Sequence, residues 1–377
     1  MARVRPVLFL FLASSVLVLN TAGPAAASRF PGAVAPWPDS VAENLVRTYR
    51  SGQTDDAIAA LVRRLGGDED NDRADAVERM VLWVREAGQQ TRTGKRSWRR
   101  ELEALLLLTT DALIETWPER SLFAPERNNL WRPLETLHDT LKRLDPASPF
   151  LRQWYLVWEA FRQSNIMDGW RGWPTYFNEA LEAFPRDPQV LLAAGARQEL
   201  EWWMRTNPRR TLSAIPGARA ADLHDVLVAS RNYFRRSLAA DPDESESALR
   251  LARVLIELDD LDAARQVLAA RTWNGREPAF EYLARLFEGE LAERHGDTAA
   301  AIAAYDRAIA LVPTPQAALV AKAHALHAAD RRADALQVAT QALSGADQPA
   351  DPWWVYSLGQ AWRLTPYLRA ARAWIAR

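Results

Sequence analysis

The chain has no cysteine, so no disulfide bond contributes to its stability. The same absence excludes a lipoprotein anchor, which needs a cysteine directly after the signal segment. Lysine is also scarce: Lys95, Lys142 and Lys322 are the lysines among 47 basic residues. An arginine-rich set is suited to binding carboxylates or phosphates. GC-rich coding sequence produces the same bias, and we favour that explanation.

An excess of charge of either sign is missing as well, because the formal net charge is −1 over 377 residues. A near-neutral balance gives no electrostatic footprint for nucleic acid, so we expect no nucleic-acid partner. The sequence contains no phosphate loop, dinucleotide fingerprint, nucleophile elbow or zinc-protease motif. We therefore expect a protein that is not an enzyme and that holds no cofactor or metal.

Residues 1–27 have the organisation of a secretory signal peptide. Arg3 and Arg5 precede the apolar run 7–19, which is too short to span a membrane comfortably. Alanines at 25–27 supply a small-x-small cleavage pattern, so the mature chain is predicted to begin at Ser28, with retention as an anchor as the alternative. No later stretch is apolar enough to span a bilayer. We expect an exported protein that is soluble in the periplasm or outside the cell.

Residues 282–315 have the pattern of one helical hairpin of 34 residues. Small residues allow two helices to approach closely, a glycine makes the turn between them, and an aromatic ring fills the space between neighbouring hairpins. A proline then ends the second helix, because proline cannot continue a helix. These places are occupied by Gly289, Ala292, Gly296, Ala301, Tyr305, Ala308 and Pro313.

The pattern recurs on both sides of this hairpin. Ala264, Ala301 and Ala335 hold the same close-packed place and are separated by 37 and 34 residues. The adjacent hairpins are therefore 245–278 and 316–349, and a weaker form of the pattern covers 149–242. Several hairpins in series bury one another's apolar faces, which a single hairpin cannot do.

These hairpins resemble the tetratricopeptide repeat (TPR) superfamily. The resemblance implies an all-α, right-handed solenoid of TPR-like helical hairpins, closed by an aromatic C-terminal cap. We divide the chain into five parts. They are a signal peptide (1–27), a proline-rich linker (28–39), degenerate N-terminal helical hairpins (40–148), TPR-like repeats (149–349) and tryptophan-rich capping helices (350–377).

The same resemblance implies a non-catalytic scaffold that binds a protein or peptide partner. In the family, the first helix of each hairpin lines a concave groove. The corresponding residues form a groove of mixed charge, without the basic and asparagine clamp that captures peptide carboxylates in chaperone-binding relatives. The candidate groove residues are Arg253, Glu257, Glu290, Glu293, Arg294, His324 and His327.

Three alternatives accompany this prediction. His324 and His327 lie one helical turn apart and could share a metal ion with Glu290 and Glu293, although two ordinary surface histidines are the favoured explanation. Trp170 and Trp173 lie in a glycine-flanked segment and are the candidate aromatic contacts of a glycan-binding protein. A helical enzyme acting on cell-wall polymer is the least favoured. The identity of the partner and the oligomeric state are open.

Overall fold

The computed structural model describes residues 34–66, 70–116, 125–165, 176–206, 220–273, 278–313, 315–343 and 351–377. The predicted signal peptide and most of the predicted linker lie outside these ranges. Within them the regular structure consists of seventeen α-helices and one 3-10 turn, with no strand. The predicted all-α class is confirmed.

The N-terminal part of the fold contains five helices, and the fourth of them is central. Gly52 turns the chain between the first two helices with a φ of +87°, a value that glycine adopts readily. The fourth helix packs against the first, second and fifth, and its leucines at 105–108 are buried on every side. The helices are α1 (Asp39–Arg50), α2 (Thr54–Gly66), α3 (Asp70–Arg92), α4 (Arg99–Thr116) and α5 (Pro125–Leu144).

Five hairpins follow in series. The two helices of each hairpin pack on each other, and the second helix of each of the first four also packs against the first helix of the next. The hairpins are α6 (Pro149–Ser164) with α7 (Phe177–Ala183), α8 (Pro188–Thr206) with α9 (Ala220–Ala240), α10 (Ser245–Glu257) with α11 (Leu261–Ala269), α12 (Pro278–Arg294) with α13 (Thr298–Ile309), and α14 (Gln316–Ala328) with α15 (Arg332–Leu343).

In two of the hairpins, a glycine sets the distance between the paired helices. A Cβ atom at Gly289 would overlap the ring of Tyr305, and one at Gly195 would overlap the ring of Phe234. Both rings are fully buried. The aromatic side chain therefore packs directly on the backbone of the facing helix in the same hairpin. The sequence pattern predicted the close approach of these helices at Gly289, but it placed Tyr305 between neighbouring hairpins instead.

The turns between paired helices repeat with the same spacing as the packing alanines. Asp259, Gly296 and Asp330 have φ values of 62°, 79° and 58°, all in the left-handed region. Asp297 is the N-cap residue of α13, and its side chain accepts a hydrogen bond from the Ala300 backbone amide at 2.9 Å. The register of the last three hairpins is thus fixed by both the turns and the packing positions.

The last part of the chain, residues 351–377, consists of α16 (Pro352–Ser357), a 3-10 turn (Ala361–Arg363) and α17 (Leu364–Ala376). We call it the C-terminal strap. α16 packs against α12, and α17 packs against α6, α4 and α1. Its buried side chains join both hydrophobic cores: Tyr356 belongs to the core of the later hairpins, and Tyr367 and Ile375 belong to that of the N-terminal helices.

Candidate functional site

The candidate groove residues lie on the first helices of the last three hairpins. Arg253 and Glu257 are on α10, Glu290, Glu293 and Arg294 are on α12, and His324 and His327 are on α14. We call the surface formed by α6, α8, α10, α12 and α14 the A-helix face. The C-terminal strap lies along this face and divides the seven residues into a covered set and an open set.

The strap begins at the last hairpin. Asp351 lies at the N-terminus of α14, where its Oδ2 accepts hydrogen bonds from the Ala317 amide at 2.6 Å and the Tyr282 hydroxyl at 2.7 Å. Trp354 donates from Nε1 to Gln316 Oε1 at 3.1 Å. A carboxylate is favourable beside the free amides of a helix N-terminus. These contacts attach the first residues of the strap to α14 and α12.

A buried charge cluster holds the middle of the strap. Arg250, on α10, pairs with Glu199 at 2.7 Å and Glu246 at 2.8 Å. It also donates to two strap carbonyls, Tyr356 O at 3.2 Å and Gly359 O at 2.6 Å. All three charged side chains are almost fully buried. Each charge is compensated inside the protein, and the strap carbonyls supply part of that compensation.

Arg253 belongs to the covered set. Its Nη1 donates to Glu199 Oε1 at 2.7 Å, and its guanidinium lies 4.6 Å from the ring centre of Trp353 and 5.7 Å from that of Tyr356. The residue is 5% exposed. Its charge is paired and its guanidinium lies against two aromatic rings of the strap, so Arg253 is not available to a peptide in this structure.

The end of the strap reaches the N-terminal helices. Arg363 pairs with Glu246 at 2.6 Å, and the Tyr367 carbonyl accepts a hydrogen bond from Gln153 of α6 at 3.0 Å. Arg372 donates to Asp111 of α4 at 2.9 Å. The strap therefore runs from α14 back to α4, opposite to the order of the hairpins in the chain. This course fills the part of the groove formed by α6, α8 and α10.

The other six candidate residues lie beyond the strap, and we call them the open patch. Arg294 and His327 are exposed, and the other four are half-buried. Glu293 accepts from Tyr305 at 2.9 Å and lies 3.0 Å from His324 Nδ1. Arg294 lies 3.4 Å from Glu257 and 3.9 Å from Glu290. The members are Glu257, Glu290, Glu293, Arg294, His324 and His327. Three carboxylates and one arginine give the patch a net charge of −2 with both histidines neutral.

The carboxylates of the open patch affect one another. The pKa of Glu290 is raised from 4.5 to about 7, chiefly by burial and then by the charge of Glu257, while Arg253 and Arg294 oppose the rise. Glu290 therefore changes its charge near neutral pH. The patch is more negative in alkaline than in mildly acidic solution.

The metal hypothesis finds no support in the geometry. Within the described ranges, no group of three or more histidine, cysteine, aspartate or glutamate side chains is placed to hold a metal ion. His324 has Glu293 as its neighbour, in an ordinary hydrogen-bonded pair. Trp170 and Trp173, the candidate aromatic contacts, lie outside the described residues. In the part of the chain that the structure covers, no helix is both long and apolar enough to cross a bilayer.

The sequence left open whether the chain fills its own groove, and it did not identify the buried cluster that holds the strap. Glu199, Glu246 and Arg250 lie on the first helices of adjacent hairpins, at positions that helical periodicity places near the groove. The available signal was the strap itself, since Arg363 and Arg372 accompany its aromatic residues. A basic and aromatic segment can compensate buried carboxylates on the face of another helix.

A family model matches one segment within the series of hairpins. Residues 227–284 match a family model described as tetratricopeptide repeat (TPR_19). Among solved structures, the chain is similar to one titled "Crystal Structure of the Yeast Tom70", with 12% sequence identity and a TM-score of 0.32, over 89% of this chain and 74% of that chain. No curated protein matches the chain.

The matched segment covers α10 and α11 and parts of α9 and α12, so it lies within the series of hairpins. Paired antiparallel helices stacked in series, with small residues at the contacts, define a helical-repeat solenoid. Residues 227–284 match the tetratricopeptide repeat family. This match confirms the predicted resemblance over that segment.

Proposed function

We propose that this protein is an exported, non-catalytic interaction scaffold. It binds a basic segment of a protein partner at the open patch. One observation carries the proposal. Six candidate residues on three successive first helices, α10, α12 and α14, keep part of their surface in contact with solvent. The strap instead fills the part of the groove that α6, α8 and α10 form. Stacked helical repeats commonly bind partners on such a face.

The charge of the open patch supports a basic ligand. Glu257, Glu290 and Glu293 provide carboxylates from two neighbouring helices, and Arg294 compensates part of their charge. A lysine or arginine of a partner would compensate the remainder. His324 and His327, on α14, extend the polar surface beside them. Contacts of this kind at a solvent-exposed surface weaken with salt, so partner binding should decrease as ionic strength rises.

The covered part of the groove is not used in the proposed mode. Arg253 is buried under Trp353 and Tyr356, so a peptide lying along α6, α8 and α10 would first have to displace the strap. The predicted export rests on the signal-like residues 1–27. Tests of partner binding in cells should therefore express the protein with residues 1–27 present.

The direct test is in-cell crosslinking followed by identification of the captured proteins. Wild type should capture a defined partner, and the double variant Glu290→Lys with Glu293→Lys should lose it, because the patch changes from acidic to basic. The matched control is Asp225→Lys with Asp262→Lys, which changes two exposed carboxylates on α9 and α11. It should retain the partner.

Two outcomes would overturn the proposal. One is capture of the same partner by both double variants, which would place binding elsewhere on the protein. The other is that wild type captures no protein at all under conditions where a known exported complex is recovered. Thermal melts of each purified variant show whether a lost partner reflects the patch or a loss of folding.

A further inference from the structure

The open patch contains two kinds of side chain that gain a proton as the solution becomes mildly acidic. Glu290 is one of them, and the imidazoles of His324 and His327 are the others. Histidine is the side chain whose charge changes between pH 8 and 5. A glutamate that takes up a proton loses a negative charge, and a histidine that does so gains a positive one. Acidification therefore changes the charge of the patch in the same direction at all three positions.

In alkaline solution the open patch has more carboxylates than its own cation can pair. Arg294 is the arginine of the patch, and it lies between Glu257 at 3.4 Å and Glu290 at 3.9 Å. Glu293 lies 3.0 Å from His324, which is neutral under these conditions. Three carboxylates therefore share one arginine, and two negative charges are left for a ligand.

In mildly acidic solution the same distances pair the remaining carboxylates within the protein. A protonated Glu290 no longer competes for Arg294, so this arginine is left to Glu257. A protonated His324 lies 3.0 Å from Glu293, so its positive charge is compensated by that carboxylate. The second histidine adds a cation at an exposed position. Two carboxylates then face three cations, and the net charge of the patch changes from −2 to +1.

The other charged groups on the helices around Glu290 do not reverse this change. Arg253, on α10, is occupied by Glu199 and keeps its charge throughout. α16, which packs against α12, contains no charged residue, and α13 contributes the neutral Tyr305 hydroxyl to Glu293. The charged residues that α11, α13 and α14 carry outside the patch are paired locally: Asp262 with Arg265, Asp306 with Lys322, and Arg307 with Glu288.

We propose that the open patch is a pH-controlled site, which holds a basic segment at neutral and alkaline pH and releases it in mildly acidic solution. The inference rests on the proposed function, since it concerns the same site and the same ligand. Lysine and arginine side chains of a ligand keep their charge over this range, so the change arises in the patch. No helix has to move, because the groups that pair on acidification are already neighbours.

The test measures binding of a short rhodamine-labelled peptide of alternating lysine and glycine to the purified protein, by fluorescence anisotropy at constant ionic strength. Wild type should bind about tenfold or more weakly at pH 5.5 than at pH 8, because the ligand loses its ion pairs and meets like charge. The triple variant Glu290→Gln, His324→Asn and His327→Asn should bind almost equally at both values. The matched control is His224→Asn, at an exposed histidine of α9, and it should follow wild type.

Proton release provides a second measurement. A ligand cation beside Glu290 favours its charged form, so binding at pH 7 should release protons from wild type. Calorimetry in two buffers with different heats of ionisation measures the number of protons released. Glu290→Gln should release fewer, because it has no proton to lose at this position.

The outcomes separate the pH control from the function on which it rests. A peptide that binds wild type equally at both pH values would keep the basic ligand and overturn the pH control alone. A peptide that binds wild type at neither value would overturn both. A triple variant that weakens on acidification as much as wild type would also overturn the pH control. Binding by the triple variant at pH 5.5 shows that the protein stays folded there, so loss of binding by wild type is not acid unfolding.

Discussion

The A-helix face contains two regions that are built from the same kind of helix but differ in what covers them. On α6, α8 and α10 the face is sealed by the strap, and its charged residues are compensated within the chain. At the ends of α10, α12 and α14 the open patch meets solvent, and its charges interact at the surface. The repeat pattern alone does not distinguish these regions. The regions differ because the C-terminal strap, which is distant in sequence, covers one of them and not the other.

The comparison predicts that equivalent arginine substitutions have very different costs. Arg250→Met removes one of the two arginines that pair with each of the buried carboxylates Glu199 and Glu246. It also removes two hydrogen bonds to the strap, so it should lower the free energy of unfolding by about 3–5 kcal/mol. Arg294→Met, in the open patch, should cost less than about 1 kcal/mol, since its ion pairs are exposed. Urea unfolding measures both. Similar losses would show that the strap does not seal the cluster.

A glycine in the strap offers a second contrast. Gly359 has a φ of +66°, and a Cβ there would overlap the Gln163 side chain, whose Oε1 accepts the Gln360 amide at 2.5 Å. Gly94 has a similar φ of +72° but no atom near the added Cβ. Gly359→Ala should therefore cost about 2–3 kcal/mol, against about 1 kcal/mol for Gly94→Ala. Equal losses in urea unfolding would mean that backbone strain alone accounts for both.

The smallest effect concerns the open patch and pH. Because the folded protein raises the pKa of Glu290 from 4.5 to about 7, it holds this proton more tightly than the unfolded chain does. The resulting stability is present below pH 4.5 and is lost as pH rises to 7. Glu290→Gln stays neutral, so its melting temperature relative to wild type should increase between pH 4.5 and 8. A difference that is constant with pH would contradict this shift.

The repeat architecture could be predicted because its causes are local. Gly289 with Tyr305, the packing alanines and the turn positions all fall within one hairpin or between adjacent ones, and steric contacts at these places specify helical stacking. The resemblance to the repeat family also places Arg253 on the correct face of α10. Periodicity identifies which side of a helix faces inward, however, and it does not identify what lies there.

The strap could not be placed from sequence for the same reason. Its aromatic residues predict burial, but a buried aromatic can pack at the end of a solenoid or along its face. The deciding contacts join residues far apart in the chain: Gly359 with Arg250, and Arg372 with Asp111, 261 positions away. Such contacts depend on how all the hairpins between them stack. Local sequence patterns do not specify how the hairpins stack over that distance.

The strap also changes how the protein can unfold. In a simple solenoid each repeat contacts its neighbours alone, so the ends can fray while the middle stays folded. Here the last residues of the chain bind α4 and α6, and the first residues of the strap bind α12 and α14. Fraying of either end therefore breaks contacts at the other, and the two ends should unfold as one cooperative unit.

The order of residues in the chain also bears on this closure. The strap follows the hairpins that it contacts, so Glu199, Glu246 and Arg250 are synthesised before the carbonyls and the arginine that complete their cluster. Until the strap has been made, the part of the groove that it fills lacks this cover. A growing chain should therefore expose charged groups that the folded protein encloses.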